Sequence, residues 1–255
     1  MILCGCIDKM AIVKKILYFL SKEGYGYKGL EYIYHFFVPE FDLNIIQLVL
    51  FTLRGNRIVI KKGHFIKINC KGAKLSNNRM VFYYGNGCKV DIGSGASIDG
   101  ARFELSGEES LISIGEHGRF AQGMVLESHD IHSEVIIGHN TDIWGNGRIV
   151  SADGKIVSIG NRCQIAYGFE IRSSDSHSIL NQNGERINPG SDVIIGDHVW
   201  LGANVKVLKG AVVEDESVIG NDSMLLKGIY RSNCVYVGKP AVKIKDNINW
   251  IEERL

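Results

Sequence analysis

The chain has 255 residues and a mass of 28.3 kDa, with 29 Lys and Arg against 28 Asp and Glu. That near-neutral balance excludes a general nucleic-acid binder, which needs a basic excess to displace counterions. A hydrophobic fraction of 45% with 22% charged residues excludes a disordered chain, and 30 glycines against 3 prolines predict tight turns inside a regular backbone rather than a linker.

Residues 1–56 read as a helical segment. Ile12, Val13, Ile16, Leu17, Phe19 and Leu20 form one apolar face, with Lys14, Lys15 and Tyr18 opposite. That face is expected to pack on its own domain; the alternative is peripheral docking on a membrane or a partner. Lys14 and Lys15 interrupt the apolar run Ala11–Leu20 and no small-residue cleavage site follows, so no signal peptide is predicted. Pro39, Glu40, Asp42 and Asn44 break the stretch Tyr32–Leu53, which therefore does not read as a spanning helix. Cys4, Cys6, Cys70, Cys88, Cys163 and Cys234 contain no CxxC pair, and the expectation is reduced thiols in a cytoplasmic protein.

From Arg57 the pattern changes to short alternating runs, 57–61, 65–69 and 79–83, that read as strands. An Ile-Gly doublet then recurs at 92, 114, 137, 159, 195 and 219. Aliphatic residues return every six positions, as in Ile159, Ile165, Ile171 and in Leu201, Val207, Val213, Ile219, Leu225. Small or branched residues fall four places after an aliphatic: Cys163, Val199, Val205, Ala211, Ser217 and Ser223. Such a period predicts a mainly β, triangular solenoid over 57–246, three short strands per coil, each coil burying its aliphatics only by stacking on the next. Ile159 and Ile195 are two coils' worth apart, which leaves a protruding loop at about 175–192, and loops of that length are usually functional. Residues 247–255 are expected to form a short capping helix anchored by Trp250 and Ile251.

The segments Ser173-Ser-Asp-Ser-His-Ser178, Ile195-Gly-Asp-His-Val-Trp-Leu-Gly-Ala-Asn204, Val218-Ile-Gly-Asn-Asp-Ser-Met-Leu-Leu-Lys227 and Val237-Gly-Lys-Pro-Ala-Val-Lys-Ile-Lys245 carry a resemblance. Over about 156–248 the chain resembles the hexapeptide-repeat acetyltransferases, nearest to the capsular polysaccharide and polysialic acid O-acetyltransferases and the maltose/galactoside branch. The resemblance implies a left-handed parallel β-helix, acetyl-CoA as donor, no metal, and a homotrimer with its sites between subunits.

Acyl transfer to a hydroxyl needs a base near neutral pKa, for which imidazole is suited. By resemblance His177 is that base, acting in a direct ternary complex. Asp175 or a backbone carbonyl would fix its tautomer, and a backbone N–H near 200–202 would hold the oxyanion. Trp200 matches a tryptophan lining the acetyl and acceptor pocket. Gly202, Ala203, Asn221 and Leu226 match positions along the pantetheine arm, and Lys227, Lys245 and the helper Lys243 match positions near the nucleotide phosphates. Asn221-Asp222 stands where the family often has Ala-Gly, which implies a narrower or more polar channel, and Val242 replaces a basic position. Asp-x-His-Ser occurs twice, so His132 rivals His177; His129, His132 and Arg172 are candidates for the acceptor side.

The implied acceptor is a surface glycan, capsular or lipopolysaccharide-type and sialic acid-containing in the nearest relatives. A small-molecule acceptor (antibiotic, serine or nucleotide sugar) and a non-enzymatic scaffold are the alternatives. A zinc hydrolyase on the same fold would need three converging histidines; His139 and His177 supply two, and Gln182 stands where a third would fall.

Overall fold

A computed structural model describes residues 40–41, 45–63, 65–253 and 255. The expected apolar face at 12–20 lies outside them. Within the expected helical segment the described residues hold one helix, α1 (Ile45–Leu53), whose Phe51 is buried in the solenoid core, but Glu40–Phe41 is instead a strand paired in parallel with Lys67–Asn69. The Asn56 side-chain amide donates to the Phe51 carbonyl at 2.8 Å and ties the end of α1 to the first coil.

The rest is a parallel β-solenoid with three sheets of nine, nine and eight strands. Face A holds strands such as Ile156–Ile159, Val193–Ile195 and Ala211–Val213. Face C holds Gln164–Ile165, Trp200–Leu201 and Val218–Ile219. Face B holds Val125–His129, Arg148–Ser151, Glu170–Arg172 and Lys206–Val207. Within each coil the chain visits A, then C, then B, and strands of successive coils pair in parallel.

The six-residue period becomes registered columns. Ile92, Ile114, Ile137, Ile159, Ile195 and Val213 pair in succession on face A, none more than 4% exposed. Cys163, Val199, Val205, Ala211, Ser217 and Ser223 are all fully buried, as their small size predicts. Burial pushes the Cys163 thiol up to about 11, so it is packing and not chemistry.

The glycine after each isoleucine is required by stacking. A Cβ on Gly115 would lie 2.6 Å from the carbonyl carbon of Gly138, and one on Gly138 would lie 2.6 Å from that of Gly160. The next residue's side chain then accepts the preceding coil's backbone N–H: His139 Nδ1 from Glu116, Asn161 Oδ1 from His139, Asp197 Oδ1 from Asn161.

The expected C-terminal helix is not formed: no helix occurs over 247–253. The end is closed instead by an antiparallel hairpin of Val235–Gly238 with Ala241–Lys245. Trp250 is an anchor as expected, stacked on His198 at 4.1 Å with its Nε1 donating to the His198 carbonyl, but Ile251 is exposed. Ala241–Lys245 already takes the free edge of face C, and the nine residues after Asp246 give too few hydrogen bonds to offset helix nucleation.

Candidate functional site

The loop predicted from the 36-residue gap leaves the edge between faces B and A and is tightly laced. The Arg186 guanidinium pairs with Asp153 at 2.5 Å, and Ser174 Oγ donates to the same carboxylate at 2.8 Å. These bonds hold the Asp153 carboxyl below the usual range, the Arg186 bond first among them. Leu180 bridges Arg186 in antiparallel fashion, and Asn181 closes the tip as an Asx turn.

His177 is exposed near the root of this loop, and its ring makes no hydrogen bond to a described residue. Its backbone is fixed: Asn188 Nδ2 donates to the His177 carbonyl at 2.8 Å and to Asp175 Oδ2 at 2.8 Å. Lys209 Nζ reaches Asp175 Oδ2 at 2.5 Å and the Asn188 carbonyl at 3.1 Å. Asp175 therefore braces the loop, with its carboxyl pulled down chiefly by Lys209, and makes no bond to the His177 ring. Sequence reasoning missed Asn188 and Lys209, because a lone Asn and a lone Lys carry no signal until the loop folds over them.

Trp200 points outward from face C, 45% exposed, between Gln164 and Val218 in register and beside Trp250 at 5.9 Å. Face C lies opposite the B–A edge, so a single chain does not bring Trp200 to His177. Gly202, Ala203 and Asn221 stack at the C–B edge of adjacent coils. Asn221 Oδ1 accepts the Ala203 N–H at 2.9 Å, so its side chain is turned along the corner rather than into open space. The N–H groups of Trp200 and Gly202 donate to Ser217 and Ile219. These three amides are thus engaged within the solenoid, which corrects the expectation of an oxyanion donor there. Leu226, Lys227, Lys243 and Lys245 are exposed on the last coils, and Lys243 pairs with Asp246 at 3.2 Å. Small buried residues beside an exposed leucine and exposed lysines fit a thin pantetheine arm ending in phosphates.

His132 sits at the B–A edge with Nδ1 3.2 Å from Glu109. Both ring nitrogens of His129 are engaged, Nδ1 with Ser106 Oγ at 2.5 Å and Nε2 with Glu127 Oε2 at 2.8 Å. Burial would raise the Glu127 carboxyl, but bonds from His129 and Arg148 outweigh it and hold it at about 2. Arg172 lies 3.2 Å from Glu170 on face B. Glu104, Glu127 and His129 are close enough to share a cation, but Arg102 and Arg148 already neutralise the two carboxylates. His139, on the A–C edge, does not converge with His177 on the B–A edge.

The bacterial transferase hexapeptide (six repeats) profile matches residues 192–227. A polysialic acid O-acetyltransferase of Neisseria meningitidis is 38% identical over 197 residues, 77% of this chain and 90% of that protein. The chain belongs to the hexapeptide-repeat O-acetyltransferases. The crystal structure of the polysialic acid O-acetyltransferase OatWY superposes with a TM-score of 0.73 at 35% identity, over 78% of this chain and 93% of that one. The polySia-specific acetyltransferase NeuO gives 0.72 at 30% identity, over 78% and 90%. This hexapeptide-repeat protein is accordingly an acyltransferase.

Proposed function

We propose that this O-acetyltransferase moves acetyl from acetyl-CoA to a hydroxyl of an anionic surface glycan of capsular type, with sialic acid-containing chains as the first acceptors to consider. The observation that carries the reading is the unengaged imidazole of His177 on a loop whose backbone is pinned by Asn188. The similarity to polysialic acid O-acetyltransferases supports the acceptor class.

Bound acetyl-CoA supplies a thioester carbonyl. His177 takes the proton of the acceptor hydroxyl as that oxygen attacks the carbonyl carbon, then returns it to the departing thiolate, so no acyl-enzyme forms. Trp200 lines the acceptor pocket. Gly202, Ala203, Asn221 and Leu226 follow the pantetheine arm, and Lys227, Lys243 and Lys245 meet the phosphates. Asp175 acts on the loop rather than on the ring, and His132, His129 and Arg172 face the acceptor side. Because His177 and Trp200 lie on opposite sides of one solenoid, the working site is shared between copies, which supports a homotrimer. The reaction is placed in the cytoplasm, where acetyl-CoA is available, with docking at the inner membrane face through the N-terminal segment.

The test is thiol release from acetyl-CoA with sialylated oligosaccharide, other capsular sugars, serine and chloramphenicol, for wild type, His177→Ala and His132→Ala. Turnover on a glycan that only His177→Ala abolishes supports the reading. Loss in His132→Ala alone moves the base two coils away, and turnover only on serine or chloramphenicol replaces the acceptor class.

A further inference from the structure

The first outward residue of each face-B strand falls in one registered column. Arg57 pairs with Arg79, Arg79 with Arg102, Arg102 with Val125, Val125 with Arg148, Arg148 with Glu170, Glu170 with Lys206 and Lys206 with Met224. Five of these eight positions are cations, all exposed, on a chain whose net charge is only +1. With coils about 4.8 Å apart, the cations from Arg57 to Lys206 span about 29 Å along the solenoid axis. The equivalent column on face C reads Lys74, Ser97, Arg119, Asp142, Gln164, Trp200, Val218 and Val235, with two cations among eight, so the basic run belongs to face B.

The column is not neutralised evenly. Arg148 is held by Glu127 and Arg102 by Glu104, while Lys206 lies 3.7 Å from Glu170. Arg57 and Arg79 make no ion pair with a described residue. A groove of about 520 Å³, lined by Asn146, Arg148, Phe169, Glu170 and Lys206 among others, runs along the same edge. Lys206 follows the Gly202–Ala203 corner directly, so the run of cations ends beside the proposed donor track.

We propose that this ladder is a track for a linear carboxylated glycan, gripping the acceptor chain upstream of the residue that is acetylated. The proposal rests on the anionic-glycan reading above. A single file of cations at regular spacing suits a chain with spaced single charges, and the interleaved Glu104, Glu127 and Glu170 limit attraction for denser polyanions. Its effect is on chain length: a long acceptor reaches Arg57 and Arg79, whereas a short one occupies only the catalytic end.

The test uses the full-length protein and its Arg57→Ser/Arg79→Ser double variant, with Arg57→Lys/Arg79→Lys and Lys74→Ser as controls. Equilibrium binding of long α2,8-linked polysialic acid is measured across a salt series, beside a two- or three-residue oligomer and single-stranded DNA. Two lost exposed charge contacts are expected to weaken long-chain binding about five- to tenfold and flatten its salt dependence. The short oligomer, the lysine variant and Lys74→Ser should be unchanged. Equal weakening for long and short chains, no weakening, or DNA binding as tight as polysialic acid would overturn the track. Binding is read without turnover, so an inactive preparation leaves this result intact; where turnover is seen, the double variant should raise KM for the long acceptor alone, at unchanged kcat.

Discussion

The side-chain amide of Asn188 donates to the carbonyl oxygen of His177 at 2.8 Å, across eleven residues of the same loop. One amide thereby fixes where the imidazole projects, and its second contact, to Asp175, extends the brace to Lys209. Asn188→Ala should reduce kcat about tenfold or more through misplacement of the base, while the melting temperature stays close to wild type because the loop is outside the solenoid core. A kcat equal to wild type in steady-state thiol release would remove Asn188 from the positioning role.

Trp200 and His177 lie on opposite sides of one solenoid, which makes complementation a direct test of the shared site. Trp200→Ala and His177→Ala homo-oligomers should each be nearly inactive. Unfolded together and refolded as mixed oligomers, they should regain a fraction of wild-type activity, because some sites then combine an intact residue from each copy. No recovery in mixed oligomers verified by mass spectrometry would place both residues in one chain's site.

The Glu127 carboxyl is held at about 2 against an ordinary 4.5 by His129 and Arg148, despite its burial. A depressed carboxylate pKa contributes stability that is complete above the unfolded value and is lost as pH falls through the folded one. The contribution should be present above about pH 4.5 and fade toward pH 2, with a size on the order of 1–3 kcal/mol. Urea unfolding between pH 6 and 2.5 should show Glu127→Gln with a shallower acid dependence than wild type. Parallel curves would show that Glu127 does not drive the acid limb.

Two glycines separate stacking from backbone conformation. Gly138→Ala places a methyl 2.6 Å from the Gly160 carbonyl carbon and should cost several kcal/mol, on the order of an overpacked core. Gly184 has φ +82 and open space around its Cβ position, so Gly184→Ala meets only the left-handed penalty of about 1 kcal/mol. Reversed magnitudes in chemical denaturation would show that the corner can shift to admit a methyl.

Buried Cys163, with its thiol pushed up to about 11, should resist alkylation in the native state at pH 8. Peptide-resolved mass spectrometry after iodoacetamide should find Cys163 labelled only after denaturant. Rapid native labelling would mean that the coil opens locally.

Much of the architecture was legible because a solenoid writes itself into sequence as a period. The Ile-Gly doublets, the six-residue aliphatic spacing and the small residues at Cys163, Ser217 and Ser223 report short-range geometry repeated coil after coil. The loop was visible as the gap between Ile159 and Ile195, and His177 through its local motif. The C-terminal cap departs from expectation because Trp250 serves as an anchor without a helix, through its stacking on His198 and its bond to the His198 carbonyl, contacts that local sequence does not show.

The sequence by itself determined the repeat, the inward columns and the residue types available for acyl transfer, since these depend on spacing along the chain. The tertiary structure decided which residues meet across coils: that Asp175 serves Lys209 and Asn188 rather than the His177 ring, that the amides near Trp200 are already engaged, and that Arg57, Arg79, Arg102, Arg148 and Lys206 share one column. The intervals between those cations are 22, 23, 46 and 58 residues, because coil lengths vary and two coils place other residues in the column. Only the registered pairing of the strands converts such unequal spacings into neighbours.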